Sequence, residues 1–259
     1  MSEKNRDGKR TARQRLAVER EKQKAADKRR RTLIVGASVI CVLGLAAVIG
    51  VVAANAGKDK GKDSAAGPVV APSGAQGKDS LAIPVGKDGA RPTLTVWEDF
   101  RCPACQAFET AYRPTLHELA DAGKLRIEYH LVKLIDGNLG GTGSLRSANA
   151  AACAQDAGRF RAYHDVLYAN QPPETDDAYG SADKLIRLAG KVKGLDTPAF
   201  RACVEKGTHD SWVDKSHQAF RSGGFSGTPT VLFGGRNIYQ DRTMTPAKLK
   251  RMVEEADGA

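Results

Sequence analysis

The chain has 259 residues, a length that allows one or two domains, with a net charge of +10 and five cysteines. The charge is concentrated: positions 1–32 hold 13 Lys/Arg against 5 Asp/Glu, a net of +8, which leaves only +2 for the rest of the chain. A basic tail on a nearly neutral body excludes a nucleic-acid-binding fold, and no nucleic-acid partner is expected.

After the tail, the segment from Leu33 to Ala54 carries no charge. A helix of that length is about 33 Å long and matches a ~30 Å hydrocarbon core. Arg29, Arg30 and Arg31 abut it, a bias that holds the N-terminus in the cytoplasm. Residues 33–54 therefore read as one transmembrane helix, with everything after residue 55 outside. Ala54-Asn55-Ala56 has the small-x-small form of a signal-peptide cleavage site, but the basic region at 1–32 and the apolar segment at 33–54 are both too long for a signal peptide. We read a retained anchor and a single-pass protein of the cell membrane. Residues 55–79, rich in Gly, Ala, Lys, Asp and Pro without an apolar period, read as a flexible linker with a span of roughly 25–30 Å.

The segment 80–259 suits one well-packed domain. "PTLTVW" (92–97) is β-branched and reads as a buried strand. A helix should start at the cysteine pair of "FRCPACQAF", with Pro103 at its favoured first position. Cys105, Phe108, Tyr112, Leu116 and Leu119 then share one face, and Pro114 should kink the helix or break it in two. "LRIEYHLV" (125–132) alternates like a strand, the Gly-rich "DGNLGGTGS" (136–144) reads as a loop, and 145 to about 222 reads as a helical block. "TPTVLFGG" (228–235) returns to strand, "RNIY" can pair with it, and "TPAKLKRMVEEA" (245–256) is a final helix. The element order is strand, strand, helix, strand, helical block, strand, strand, helix, an α/β pattern.

Cys102 and Cys105 carry the chemistry. A zinc site needs two more ligands, usually a second close pair, but Cys153 and Cys203 are 50 apart and no His pair has ligand spacing. No His follows Cys105, which excludes haem attachment. A structural disulfide across a two-residue gap removes little chain entropy. Redox exchange is left. A cysteine at a helix N-terminus meets unpaired N–H groups and the positive end of the dipole, both of which favour thiolate. Cys102 would be the attacking sulfur, with Arg101 adding positive charge, and Cys105, one turn inward, the shielded resolving thiol. A non-enzymatic metal-binding or metallochaperone domain is the reading from a different class, and the sequence offers it no third or fourth ligand.

Cys41 lies within the apolar span, which leaves four exported cysteines, an even number in a compartment where disulfides persist. Cys153 and Cys203 fall on two expected helices and read as a structural disulfide, worth roughly 4 kcal/mol for a ~50-residue loop on the chain-entropy model. Two buried thiols or a second redox relay are the alternatives. His164 reads as a packed or capping residue rather than a catalyst, and Trp97 and Phe100 as aromatics of the core or the site's rim.

Three stretches resemble the thioredoxin superfamily, and within it the DsbA-like branch: "VWEDFRCPACQAF", "CAQDAGRFRAYHDVLYANQ" (153–171), and "GLDTPAFRACVEKG" with "SGGFSGTPTVLFGG". They lie within residues 92–256. The resemblance implies a thioredoxin-like fold with a helical insertion at about 145–222. It also implies that Thr228-Pro229 is the family's cis-proline dipeptide, packed beside the CxxC and pairing with the backbone of an extended substrate chain. It further implies a thiol–disulfide oxidoreductase that forms disulfides in unfolded or reduced exported proteins, is reoxidised by a membrane partner of the DsbB or VKOR type, and needs no other cofactor. A reductase of the same fold would run the couple backwards. One position departs: many members place a buried acid six residues before the first cysteine to shuttle the resolving thiol's proton, and Val96 stands there. Glu98 and Asp99 lie at other offsets, so the resemblance assigns that role to neither and leaves the proton route open.

Overall fold

The computed structural model describes residues 68–257; the basic tail, the span at 33–54 and the linker up to 67 lie outside the described residues. Among the described residues no helix is long and apolar enough to cross a membrane.

Five strands form one sheet: β1 (Ile83–Val85), β2 (Thr93–Glu98), β3 (Arg126–Leu131), β4 (Thr230–Phe233) and β5 (Arg236–Asn237). Their spatial order is β1-β3-β2-β4-β5. β2 is central, parallel to β3 with Val96 opposite Tyr129, and antiparallel to β4 with Val96 opposite Val231. Successive side chains of a strand point to opposite faces. Leu94 and Val96 accordingly join the main core, while Trp97 joins a smaller cluster with Val132 and Phe220. β1 and β5 are antiparallel edges.

Helix α1 (Pro103–Ala122) leaves the C-terminal end of β2. Cys105, Phe108, Leu116 and Leu119 are buried along it as the period requires, and Tyr112, half-buried, donates its hydroxyl to the Met244 carbonyl at 3.0 Å. Pro114 does not break the helix. It and Thr110, whose carbonyl loses its i+4 donor, are both exposed, so water can serve that carbonyl.

The insert holds α2 (Leu134–Leu139), α3 (Gly143–Asp156), α4 (Phe160–Ala169), α5 (Ala182–Ala189), α6 (Pro198–Lys206) and α7 (Asp210–Ser222), and α8 (Pro246–Asp257) closes the chain. The stretch 136–144 is thus not a plain loop. Asp136 accepts the N–H groups of Ser144 and Leu145, and Asp177 accepts those of Thr142 and Gly143, so distant carboxylates satisfy the first turn of α3. Gly141 makes the turn between the helices at φ 93°, and a Cβ there would strike the Asp177 carboxylate. A disulfide joins Cys153 of α3 to Cys203 of α6.

Residues 68–79, read from the sequence as the end of the linker, are fixed to this domain. The Val70 carbonyl accepts from His209 Nδ1 at 2.8 Å, Ser73 donates its N–H to Asp156 at 2.7 Å, and the Ser80 carbonyl accepts from Trp212 Nε1 at 2.7 Å. The anchors sit far downstream in the chain, where composition cannot reveal them.

Candidate active site

β2 ends at Glu98, and four residues turn the chain into α1. Asp99 organises the turn: its carboxylate accepts the N–H groups of Arg101 and Ile135, and its carbonyl accepts that of Cys102 at 3.0 Å. Burial pushes the Asp99 acid up to about 7 against those hydrogen bonds. Gln171 of the insert donates to the carbonyls of Phe100 and Cys102.

Cys102 caps α1 with extended backbone (φ −76°, ψ 117°), and Pro103 occupies the first helical position. Its thiol is pulled from an ordinary 9.0 down to about 6. The chief cause is the hydrogen bond from the Cys105 thiol; burial opposes it, and the Thr228 side chain and the N–H groups of Cys105 and Ala104 add to it. Cys105 is fully buried, and burial together with the adjacent Cys102 pushes its thiol well above 9.0. Both sulfurs are free thiols, so this is the reduced state of the pair.

Arg101 does not serve as expected. Its guanidinium turns away into the insert, paired with Asp136 at 2.7 Å and Asp177 at 3.0 Å and donating to the carbonyls of Gly140 and Glu174. It is 2% exposed and neutralised. It ties the cysteine turn to the start of α3 rather than acidifying Cys102.

The Thr228–Pro229 peptide is cis, and the Thr228 carbonyl lies 3.3 Å from Cys102 Sγ. The structure thus brings Cys102, Cys105, Thr228 and Pro229 together. The Cys153–Cys203 disulfide instead links two insert helices. Trp97 stacks on His130 at 4.0 Å, and Phe100 packs on His164 and Tyr168.

Sequence reasoning missed a buried polar cluster. His164 Nε2 lies 2.7 Å from Glu98 Oε1, and Glu109 of α1 joins them; all three are at most 2% exposed. Their ligand atoms lie within 4.8 Å of one another, a spacing that could hold a metal ion, as do those of Cys153, Cys203 and His209, where the sulfurs are already bonded. Neither group contains Cys102 or Cys105. Glu109 was within reach of the sequence: it stands four residues after Cys105, on the face that the apolar period buries.

A low-pKa thiol at a helix start, a shielded second thiol one turn inward and a cis-proline beside them can exchange a disulfide. Fold and site together define a thiol–disulfide oxidoreductase with a DsbA-like fold. The family model described as Thioredoxin matches residues 79–255, more than half of the chain, and the chain belongs to that family. Disulfide bond formation protein D of Bacillus subtilis is 24% identical over 157 residues, 60% of this chain and 68% of the relative. The oxidised DsbA of Mycobacterium tuberculosis superposes with a TM-score of 0.59 at 27% identity, covering 69% of this chain and 93% of that one. BdbD of Bacillus subtilis shares the fold, at TM-score 0.59 and 20% identity, over 74% of this chain and 99% of that one.

Proposed function

We propose that this oxidoreductase works outside the cytoplasm, tethered by one span at residues 33–54, and forms disulfides in reduced exported proteins. A client thiolate attacks Cys102 Sγ of the Cys102–Cys105 disulfide, a mixed disulfide forms, and Cys105 leaves. The client's second thiol then attacks the client sulfur and releases Cys102 as thiolate. Two electrons have passed to the protein, and a membrane partner of the DsbB or VKOR type takes them on. The client's backbone lies extended along the segment at Thr228 and Pro229. Beside the first turns of α1, a cavity of about 330 Å³ lined by Phe108, Tyr112, Ile238, Tyr239 and Met244, with Asp241 and Arg242 also lining it, offers room for a client side chain.

The observation that carries this reading is the state of Cys102. Its thiol is lowered to about 6, which stabilises the reduced form and makes the disulfide the better oxidant. The test is the equilibrium of the pair against a glutathione buffer. A potential above about −200 mV supports the oxidase direction; one near the thioredoxin value of about −270 mV makes the protein a reductase. Catalysed refolding of a reduced client, lost in Cys102→Ser and arrested as mixed disulfides in Cys105→Ser, identifies the reacting sulfurs. Normal turnover by Cys102→Ser overturns the mechanism.

A further inference from the structure

The helical insert reaches the cysteine turn through the amide of Gln171. This residue stands two positions past the end of α4, half-buried. Its Nε2 donates to the Phe100 carbonyl at 2.9 Å and to the Cys102 carbonyl at 3.0 Å. Both facing groups only accept, so the NH2 end of the amide is the end that fits there. Phe100 is 1% exposed, and the carbonyl of so buried a residue needs a donor inside the protein. The Cys102 carbonyl also accepts the N–H groups of Cys105 at 3.1 Å and Gln106 at 3.2 Å, the bonds that open the helix. Gln106 returns the contact. Its Nε2 donates at 2.9 Å to the carbonyl of Tyr168, in the last turn of α4. Two glutamines thus cross between the start of one helix and the end of the other, each serving a backbone carbonyl of its neighbour.

The groups that act on the Cys102 sulfur are the thiol and N–H of Cys105 and the N–H of Ala104 on α1, Thr228 before β4, and Tyr239 beyond β5. A carbonyl oxygen is the negative end of its peptide dipole, and one of the two that Gln171 holds belongs to Cys102 itself. Bare, these oxygens oppose a thiolate; the Gln171 N–H groups place partial positive charge on both. We propose that Gln171 is a positioning residue of the redox pair: by clamping the Phe100 and Cys102 carbonyls it holds the first-turn N–H groups of α1 against the Cys102 sulfur and favours its thiolate. This deepens the reading of Cys102 and Cys105 as the reacting pair and rests on it. The thiolate concerned is the one released when a client's second thiol resolves the mixed disulfide, so Gln171 biases the couple toward the reduced protein. The acidity of the site is then set in part from the insert by a neutral side chain, while the charge of Arg101 is paired with Asp136 and Asp177.

The test titrates the reduced full chain by thiolate absorbance at about 240 nm and records the melting temperature of each variant. The wild type should titrate near 6. Gln171→Ala should weaken the Cys102 acid roughly two- to fivefold, the worth of a partial charge at a helix end. Gln171→Glu, which cannot donate and adds a negative charge, should weaken it further, and Gln171→Asn, one methylene shorter, should fall between wild type and alanine. At about pH 8 the glutathione equilibrium of Gln171→Ala should shift toward the disulfide by a similar factor. Gln106→Ala breaks the other half of the clasp and leaves both carbonyls bonded to Gln171, so it should melt lower with Cys102 still near 6. Gln171 variants that melt lower but titrate like the wild type overturn the proposal. So does a Gln106→Ala variant that shifts the titration as far as Gln171→Ala does. If Gln171→Ala does not fold, an unshifted titration in Gln171→Asn overturns the proposal instead. A wild type whose Cys102 titrates at its ordinary 9.0 overturns the reading of the reacting pair and this proposal with it.

Discussion

Replacing Cys105 by alanine removes the largest influence that acidifies Cys102. The wild-type thiol moves from 9.0 to about 6, a difference whose full worth is about 4 kcal/mol. An acid lowered in the folded state stabilises that state above its unfolded value and loses the benefit as pH falls through its folded value. The reduced fold therefore gains the full amount above pH 9, on the order of 1 kcal/mol at pH 7, and nothing below 6. At pH 7 that is on the order of 20–30 mV on the two-electron couple. Cys105→Ala should raise the Cys102 pKa by one unit or more, about 1.4 kcal/mol or greater, whereas Cys105→Ser, which keeps a hydroxyl donor, should leave it nearer 6. Thiolate absorbance at about 240 nm follows both titrations. The rise of reduced-state stability between pH 6 and 9, read by urea unfolding, should shrink in the alanine variant. If alanine and serine variants titrate alike at the wild-type value, the helix N–H groups and Thr228 set the acidity and the Cys105 thiol does not.

The double change Cys153→Ala with Cys203→Ala should cost roughly 4 kcal/mol of stability on the chain-entropy model and leave exchange at moderate temperature largely intact. Loss of turnover without a lower melting temperature would mean a second redox relay. Arg101→Ala should destabilise by about 3–5 kcal/mol, because Asp136 is left buried without its cation, while the Cys102 titration stays close to 6; a large rise would restore the guanidinium as an acidifier. Ala104→His should raise the reduction potential measured against glutathione, since it adds a donor facing the Cys102 sulfur where Ala104 now offers only its N–H.

What the sequence makes legible is what local chemistry decides. Pro103 after Cys102 marks a helix start, the 3.6-residue period picks the buried face of α1, and the Thr-Pro dipeptide sits at the head of a β-branched run that becomes β4. What it hides is where long polar side chains go. The destination of Arg101 depends on Asp136 and Asp177, both far along the chain, and the same two carboxylates turn a glycine-rich stretch into the start of a helix. The segment 68–79 looks like linker because its partners, Asp156 and His209, are invisible to composition. Glu109 lies on the periodic apolar face, yet a charged residue on a helix reads as solvent-facing until its burial is seen.

The departure at Val96 shows why offsets mislead where faces do not. Val96 is fully buried on the central strand, between Tyr129 on one side and Val231 on the other, so an ionisable group there would have two apolar or aromatic neighbours across the sheet. Glu98 is two residues on, and side chains repeat every second residue along a strand, so it shares the face of Val96 one step closer to Cys102. At that step α4 is within reach, and His164 meets Glu98 at 2.7 Å. A carboxylate buried without a partner is expensive, and burial with a hydrogen-bonded imidazole is the condition under which it is tolerated. The helical insert supplies the imidazole. The Glu98 carboxyl therefore stands where the insert can pair it, two residues beyond Val96.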